Sequence, residues 1–360
     1  MWDQKQLSLN FTIMMICFSL GSLLGGKLSA KVSRRGLAIL AGVLLFVGFM
    51  AMSFLPVSNP GLARIMMYLF YGGCTGLGVG IGYNAVLTGV NSWFPDKVGT
   101  ISGILLTGFG LGSLILGLFA DKLLQTISLF AVFRILGIAC AVVVIGGAMF
   151  IRTPSADTIL PAPGKKTETG RDYSTAEMLR TPTFWIYFLW NLCMSATGML
   201  VINNASSIAV FFGVAATVGL AVSVFNSCGR VLIGGSMDRI GWKGTMFLTN
   251  AVMIGAGVLM VLGNKLSLFP VVLGGMLLAG ICYGGGVTIS ASLIRTFYGS
   301  KNYPVNFSTC NLVSIPAAII GPMISAALVD AAGGSYGTTF LMVIIMGGVS
   351  LVLNILIRKP

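Results

Sequence analysis

The chain has 360 residues, of which 56% are apolar and 9% charged, with a mean hydropathy of +0.95. Soluble domains carry about 25% charged residues, so two water-soluble domains of this length are excluded and an all-α polytopic membrane protein is left. Histidine is absent, which removes histidine metal ligands, the usual triad base and any imidazole proton relay; the net charge of +13 has to be located before it can be read.

Apolar runs long enough to cross a hydrocarbon core of ~30 Å recur along the chain. The first half gives spans near 9–27, 36–55, 62–90, 98–120 and 129–151. A polar stretch over 153–182 follows, with three prolines before Lys165 and Lys166, then Glu168, Arg171, Asp172, Glu177 and Arg180. It reads as a cytoplasmic linker ending in a short amphipathic helix around Ser174–Arg180. The second half gives spans near 183–204, 212–236, 244–263, 269–297, 304–329 and 338–357, about eleven in all. The expected domains are 1–152, the linker 153–182, and 183–360. The seven cysteines stand singly in apolar runs without a CxxC pair, so they read as small apolar residues and no cofactor or metal is expected.

The charge follows the positive-inside rule. With the linker in the cytoplasm, sixteen lysines and arginines fall on that side and five on the other, while Arg230 falls inside a span. The +13 is therefore a topology signal rather than a nucleic-acid footprint. It places the C-terminus in the cytoplasm of a plasma-membrane protein, expected to be a monomer in the bilayer.

Two loops repeat one pattern. Gly25-Gly26-Lys27-Leu28-Ser29-Ala30-Lys31-Val32-Ser33-Arg34-Arg35 follows the first span, and Gly234-Gly235-Ser236-Met237-Asp238-Arg239-Ile240-Gly241-Trp242-Lys243 follows the seventh. From Gly26 to Pro95 is about 69 residues and from Gly235 to Ser300 about 65, so the halves run in register downstream. Upstream they differ by one span, and a plan of six plus six helices without its first helix is expected.

Two Gly-x-x-x-Asp-Arg-x-Gly-type loops in a 6+6 plan resemble the major facilitator superfamily. Within it the chain looks like the oxalate/formate antiporter branch, related to the monocarboxylate porters. Three segments carry the likeness: Gly78-Val79-Gly80-Ile81-Gly82-Tyr83 followed by Trp93-Phe94-Pro95-Asp96-Lys97; Tyr173 through Glu177-Met178-Leu179-Arg180-Thr181-Pro182, then Phe184-Trp185; and Phe225-Asn226-Ser227-Cys228-Gly229-Arg230. The first loop departs from the pattern, with Ala30 and Lys31 where Asp-Arg is usual and Ser33 where Gly is usual.

A cation in mid-helix costs a few kcal/mol, about 2.5–3.5 on insertion scales, so Arg230 faces a wet cavity or a partner, or else snorkels to the cytoplasm. The resemblance implies that it binds an anion, for which a guanidinium fork suits a carboxylate. Asn226 lies one turn earlier on the same face, where the porters commonly have a carboxylate. Every acidic residue falls in a loop or near a helix end, which speaks against proton symport by an embedded acid. The resemblance further implies aromatic lining by Tyr83 and Tyr283. Asn311 and Ser314 stand on a helix, 304–329, where the oxalate transporters carry a lysine. A single cation points to a monocarboxylate such as formate, lactate or pyruvate. Gly26 and Arg34, with Gly234, Asp238 and Arg239, are expected to form gating loops. Gly72/Gly76/Gly80 and Gly108/Gly112 read as small-residue helix contacts.

The expected function is secondary transport of small organic anions by alternating access, as an antiporter or a facilitator. The rivals are a facilitator for a drug or sugar, disfavoured for the drug case because 98–120 holds no proline, and a non-transporting sensor or fragment. No enzyme is expected.

Overall fold

The computed structural model describes residues 4–155, 157–161 and 171–360; Lys165, Lys166 and Glu168 lie outside them. All regular structure among these residues is helical. In chain order the helices are α1 (Gln4–Leu28), α2 (Arg34–Met52), α3 (Pro60–Met66), a π-helical segment (Met67–Thr75), α4 (Gly76–Asn91), α5 (Val98–Leu124) and α6 (Leu129–Ala148). After the linker come α7 (Thr175–Arg180), α8 (Pro182–Phe211), a 3₁₀ turn (Ala216–Leu220), α9 (Ala221–Lys265), α10 (Phe269–Tyr298), α11 (Tyr303–Asn311), α12 (Ser314–Ala331) and α13 (Gly337–Leu356).

Among the described residues, ten helical stretches are long and apolar enough to cross a membrane. One of them, Ala216–Lys265, runs for 50 residues and contains two of the expected spans. The division between them is Gly241, whose φ of 80° and ψ of 174° break the helix. Only glycine adopts such a conformation at little cost. In the first loop the matching turn is made differently: Ser33 sits at φ −61°, and its hydroxyl caps α2 by accepting from the Gly36 N–H. That is why Ser33 can stand where the repeat pattern has glycine.

The chain forms two compact units that cut across the two sequence halves. One holds the described residues up to Trp93 together with Gly112–Leu160 and Tyr303–Ile315; the other holds Phe94–Leu111, the described part of Pro161–Asn302, and Pro316–Pro360. α5 therefore changes unit after Leu111. The expected span 304–329 does so near Pro316, just after Leu312 and Val313 interrupt the helix.

In the first unit, α1 lies along α4 with reciprocal glycines. A Cβ at Gly76 would stand 2.8 Å from the Met14 carbonyl, one at Gly80 would overlap the Phe18 carbonyl, and one at Gly25 would stand 3.1 Å from the Ile81 Cα. This is the close helix approach expected of Gly72/Gly76/Gly80, since without side chains the backbones meet directly. Among the described residues the expectation for Gly108/Gly112 is not met, because none of them lies within 4 Å of a Cβ at either. The packing glycines of α5 are instead Gly99, Gly103 and Gly110, on the opposite face of the helix.

In the second unit, α8, α9 and α10 share a buried polar layer. The Tyr187 hydroxyl lies 2.8 Å from Ser290 Oγ, the Asn191 amide donates to the same oxygen at 3.1 Å, and the Trp190 indole N–H donates to Asn250 at 3.1 Å. These groups pair because lipid offers them no alternative partner.

The end of the linker is tied to the turn after α10. Asp172 Oδ1 accepts from the backbone N–H groups of Ser300 (2.9 Å) and Lys301 (3.0 Å), the Tyr173 N–H donates to the Tyr298 carbonyl (3.0 Å), and the Asn302 amide donates to the Tyr173 carbonyl (3.0 Å). α7 forms as expected, opened by a capping box between Ser174 and Glu177. The Ser174 backbone N–H, then its hydroxyl, holds the Glu177 carboxyl below its ordinary value. Gly299 makes the docking possible: its φ is +81°, and a Cβ there would stand 2.7 Å from the Asp172 Cα. Gly299→Ala and Asp172→Ala are each expected to destabilise the purified protein by about 1–2 kcal/mol, from left-handed strain and from two lost hydrogen bonds respectively. Thermal melts of the double variant should show less than the sum of the single losses.

Candidate functional site

Arg230 lies in the second unit, on the first part of α9, and is 9% exposed. It is held there by glycine packing on both sides. Gly229 presses its backbone against Ile281 of α10, and Gly284 of α10 presses against the Asn226 backbone. The two helices are thereby drawn close enough for Tyr283 to lie within electrostatic range of the guanidinium. The Tyr283 ring in turn rests on Gly198 of α8, in direct contact with the place a side chain there would fill. Three of the expected residues, Arg230, Asn226 and Tyr283, are thus brought together by three helices of one unit.

The fourth wall is the first part of α5. Its packing on α9 runs antiparallel: Gly99 meets the Gly234 main chain, Gly103 meets the Arg230 main chain, and the Thr107 hydroxyl donates to the Ser227 carbonyl at 2.9 Å. At the end of this seam, Arg230 Nη1 donates to the Leu106 carbonyl. A Cβ at Gly110 would stand 3.2 Å from the Arg230 Cζ and Nη1 and 2.7 Å from Ser227 Oγ. Leu106, Thr107, Gly110 and Ser227 were not anticipated as site residues. The spacing of Gly99, Gly103 and Gly110 marks a face of α5 but gives no sign that Gly234 and Arg230 lie against it.

Chemically the cluster offers a planar, permanently charged donor, a phenol and an amide inside an apolar setting. Asn226 Oδ1 is buried and has no hydrogen-bond partner. Because an amide can be turned to present either its oxygen or its NH2, Asn226 is equipped to bond a polar ligand beside Arg230. Among the described residues no group of three or more Cys, Asp or Glu gathers to hold a metal.

The second loop also meets α5. The Asp238 carboxylate accepts from the N–H groups of Gly99 (3.0 Å) and Thr100 (2.7 Å), in the first turn of α5, where a negative charge meets the positive end of the helix dipole. Arg239 is exposed beside it.

The remaining expected residues belong to the first unit. Tyr83 is flanked by Phe18, edge-on at 5.2 Å, and Phe307, stacked at 6.0 Å. Asn311 closes α11, 8% exposed, and its carbonyl accepts from Ser314 Oγ at 2.7 Å. Gly26 packs on the N-terminal turn of α11, where a Cβ would stand 2.6 Å from the Pro304 carbonyl. Arg34 donates to Thr88 Oγ1 at 3.0 Å, with its stem across Gly89. Asn84 is fully buried and donates to the Pro304 carbonyl (2.9 Å) and Ser308 Oγ (2.5 Å), which makes it an anchor for α11.

The profile of the Major Facilitator Superfamily matches residues 1–314. The chain is similar to the uncharacterized MFS-type transporter YhjX of Escherichia coli, 28% identical over 318 residues, covering 86% of this chain and 75% of that one. It is similar to the oxalate:formate antiporter of Oxalobacter formigenes, 29% identical over 328 residues, covering 88% and 74%. Among solved structures it shares the fold of the E. coli fucose:proton symporter FucP, with a TM-score of 0.70 at 15% identity over 99% of this chain and 92% of that one. With a helical membrane fold, two glycine-seamed units and a family profile spanning most of its length, the chain belongs to the Major Facilitator Superfamily and is a multi-pass membrane transporter.

Proposed function

We propose that the protein transports small organic anions, monocarboxylates such as formate, lactate or pyruvate, by exchange, using alternating access. The observation that carries this is the buried Arg230 guanidinium with Asn226 and Tyr283 gathered around it. A guanidinium kept in an apolar helix layer at an insertion cost of a few kcal/mol suits a ligand of opposite charge, and a carboxylate matches its fork. Tyr83 and Asn311, in the first unit, are further candidates for contact with the transported anion. Asp238 on the α5 helix end, with Gly234, Arg239, Gly26 and Arg34, supplies the gating contacts. The protein works in the plasma membrane with its C-terminus in the cytoplasm, which the sixteen-to-five distribution of basic residues supports. Likeness to the oxalate:formate antiporter supports the anion class, and the absence of an acid in mid-span favours exchange over proton symport.

The test is exchange in proteoliposomes loaded with unlabelled formate, lactate, pyruvate or oxalate and given the labelled compound outside. Saturable uptake driven by internal monocarboxylate is expected. Uptake of fucose or xylose with no carboxylate exchange would overturn the reading.

A further inference from the structure

Beyond binding an anion, Arg230 is placed to hold the carrier still when no anion is present. We propose that the bond from the Arg230 guanidinium to the Leu106 carbonyl is a resting lock on the α5–α9 seam, which an arriving carboxylate opens by taking the guanidinium for itself, and that Gly110 is the positioning residue that makes the lock possible. The proposal rests on the anion reading of Arg230 above.

The geometry is specific to this seam. The first part of α5 lies against α9 through main-chain contacts at Gly99 and Gly103 and one hydroxyl bond, from Thr107 to Ser227. In its apolar part the seam carries a charged side-chain contact, Arg230 Nη1 on Leu106. A helical carbonyl has a second lone pair to give, so Leu106 can accept the guanidinium without leaving its own helix. It can do so only where no side chain intervenes one turn on, and that position is Gly110, where a Cβ would press on Cζ and Nη1 at 3.2 Å. Leu106 is 3% exposed, so with the anion absent water does not compete for this bond.

A neutral carbonyl is a weaker partner for a guanidinium than a carboxylate, which is charged and can take two parallel N–H bonds. Substrate therefore wins the guanidinium, and the Leu106 bond from Arg230 to α5 is given up. α5 is a helix whose later part belongs to the other unit, so its hold on α9 bears on the conformational equilibrium of the whole carrier. A ligand shifts such an equilibrium by binding one state better than the other; here the differential term is the lock itself. The consequence is obligatory exchange, since the empty carrier stays locked and cannot return.

The experiment uses proteoliposomes loaded with labelled formate, measuring efflux into buffer with and without external formate. Wild type should release label quickly only when formate is outside. Gly110→Ala, which pushes the guanidinium off Leu106, should raise the ratio of net efflux to exchange by about tenfold, the scale of one charge-assisted hydrogen bond. Gly112→Ala, where a Cβ meets open space, should match wild type. Should Gly110→Ala fail to reach the membrane, Gly110→Ala/Ser227→Ala, which removes the hydroxyl 2.7 Å from the new Cβ, takes its place. A wild-type ratio in the variant, or loss of exchange without gain in net efflux, overturns the lock. A wild type that exchanges no carboxylate overturns the anion reading itself, and this inference with it.

Discussion

Replacing Arg230 with alanine is expected to weaken carboxylate uptake strongly while the protein still reaches the membrane. A hydrogen bond to a charged group contributes about 1.5–3 kcal/mol, and each 1.4 kcal/mol is tenfold in an equilibrium constant, so losing the fork should cost roughly 10- to 100-fold in apparent affinity. Arg230→Lys separates charge from shape. It keeps the cation but offers a point charge on a flexible stem instead of a planar pair of donors, and should recover part of the affinity. Membrane insertion should not suffer in either variant, because each replacement lowers or preserves the cost of burying this position. The measurement is concentration-dependent exchange at matched protein content. Uptake by the alanine variant equal to that of the wild type would sink the role given to Arg230.

A second large effect is expected from one methyl group. Gly284 faces the Asn226 main chain so closely that a Cβ would overlap its carbonyl, and it would also stand 2.6 Å from Asn226 Oδ1. The obstacle is backbone on a neighbouring helix, which cannot rotate away as a side-chain tip can. Gly284→Ala must therefore push α9 and α10 apart at the level of the site. Overpacking of this kind typically costs 1–3 kcal/mol, and here the displacement falls on Asn226 and, one turn on, Arg230. Lower melting temperature in detergent together with loss of exchange is expected. The control is Gly274→Ala on the same helix, where a Cβ meets open space; it should retain both stability and exchange. Equal behaviour of the two variants would show that the contact at Gly284 does not matter.

The spans were legible in the sequence because lipid leaves a chain so few options: an apolar run of about 20 residues must be a helix. Gly241 was legible as part of a repeated loop, and its positive φ explains why the second copy keeps glycine while Ser33 solves the first turn by capping. Arg230 stood out for the same reason, one cation where the surroundings make cations costly. The partners of that cation were not legible. Gly108/Gly112 has the spacing of a packing motif and packs on nothing described, whereas Gly99, Gly103 and Gly110 form the real seam. Spacing gives a face but not which face has a neighbour, and that depends on how helices far apart in sequence cross. The interruption at Leu312 and Val313, by contrast, has a local cause that the sequence shows: Pro316 has no N–H for the Leu312 carbonyl four residues back, and its ring crowds that carbonyl.

The π-helical segment Met67–Thr75 changes how the two halves should be compared. Thr75 Oγ1 accepts its place in that winding by donating to the Phe70 carbonyl, five residues back, at 3.1 Å. Each π turn takes up one more residue than an α turn, so the 32 residues of Pro60–Asn91 span less depth than the same number in a regular helix. The first half carries about four residues more than the second between its loop and the matching point downstream, and the wider winding absorbs about two of them. Any residue-by-residue superposition counted from the Pro60 end will thus slip by half a turn or more before it reaches Tyr83. Counted from the Asn91 end, past no π turn, the alignment stays in phase, and alignments of relatives should place their gap inside Met67–Thr75 rather than in a loop.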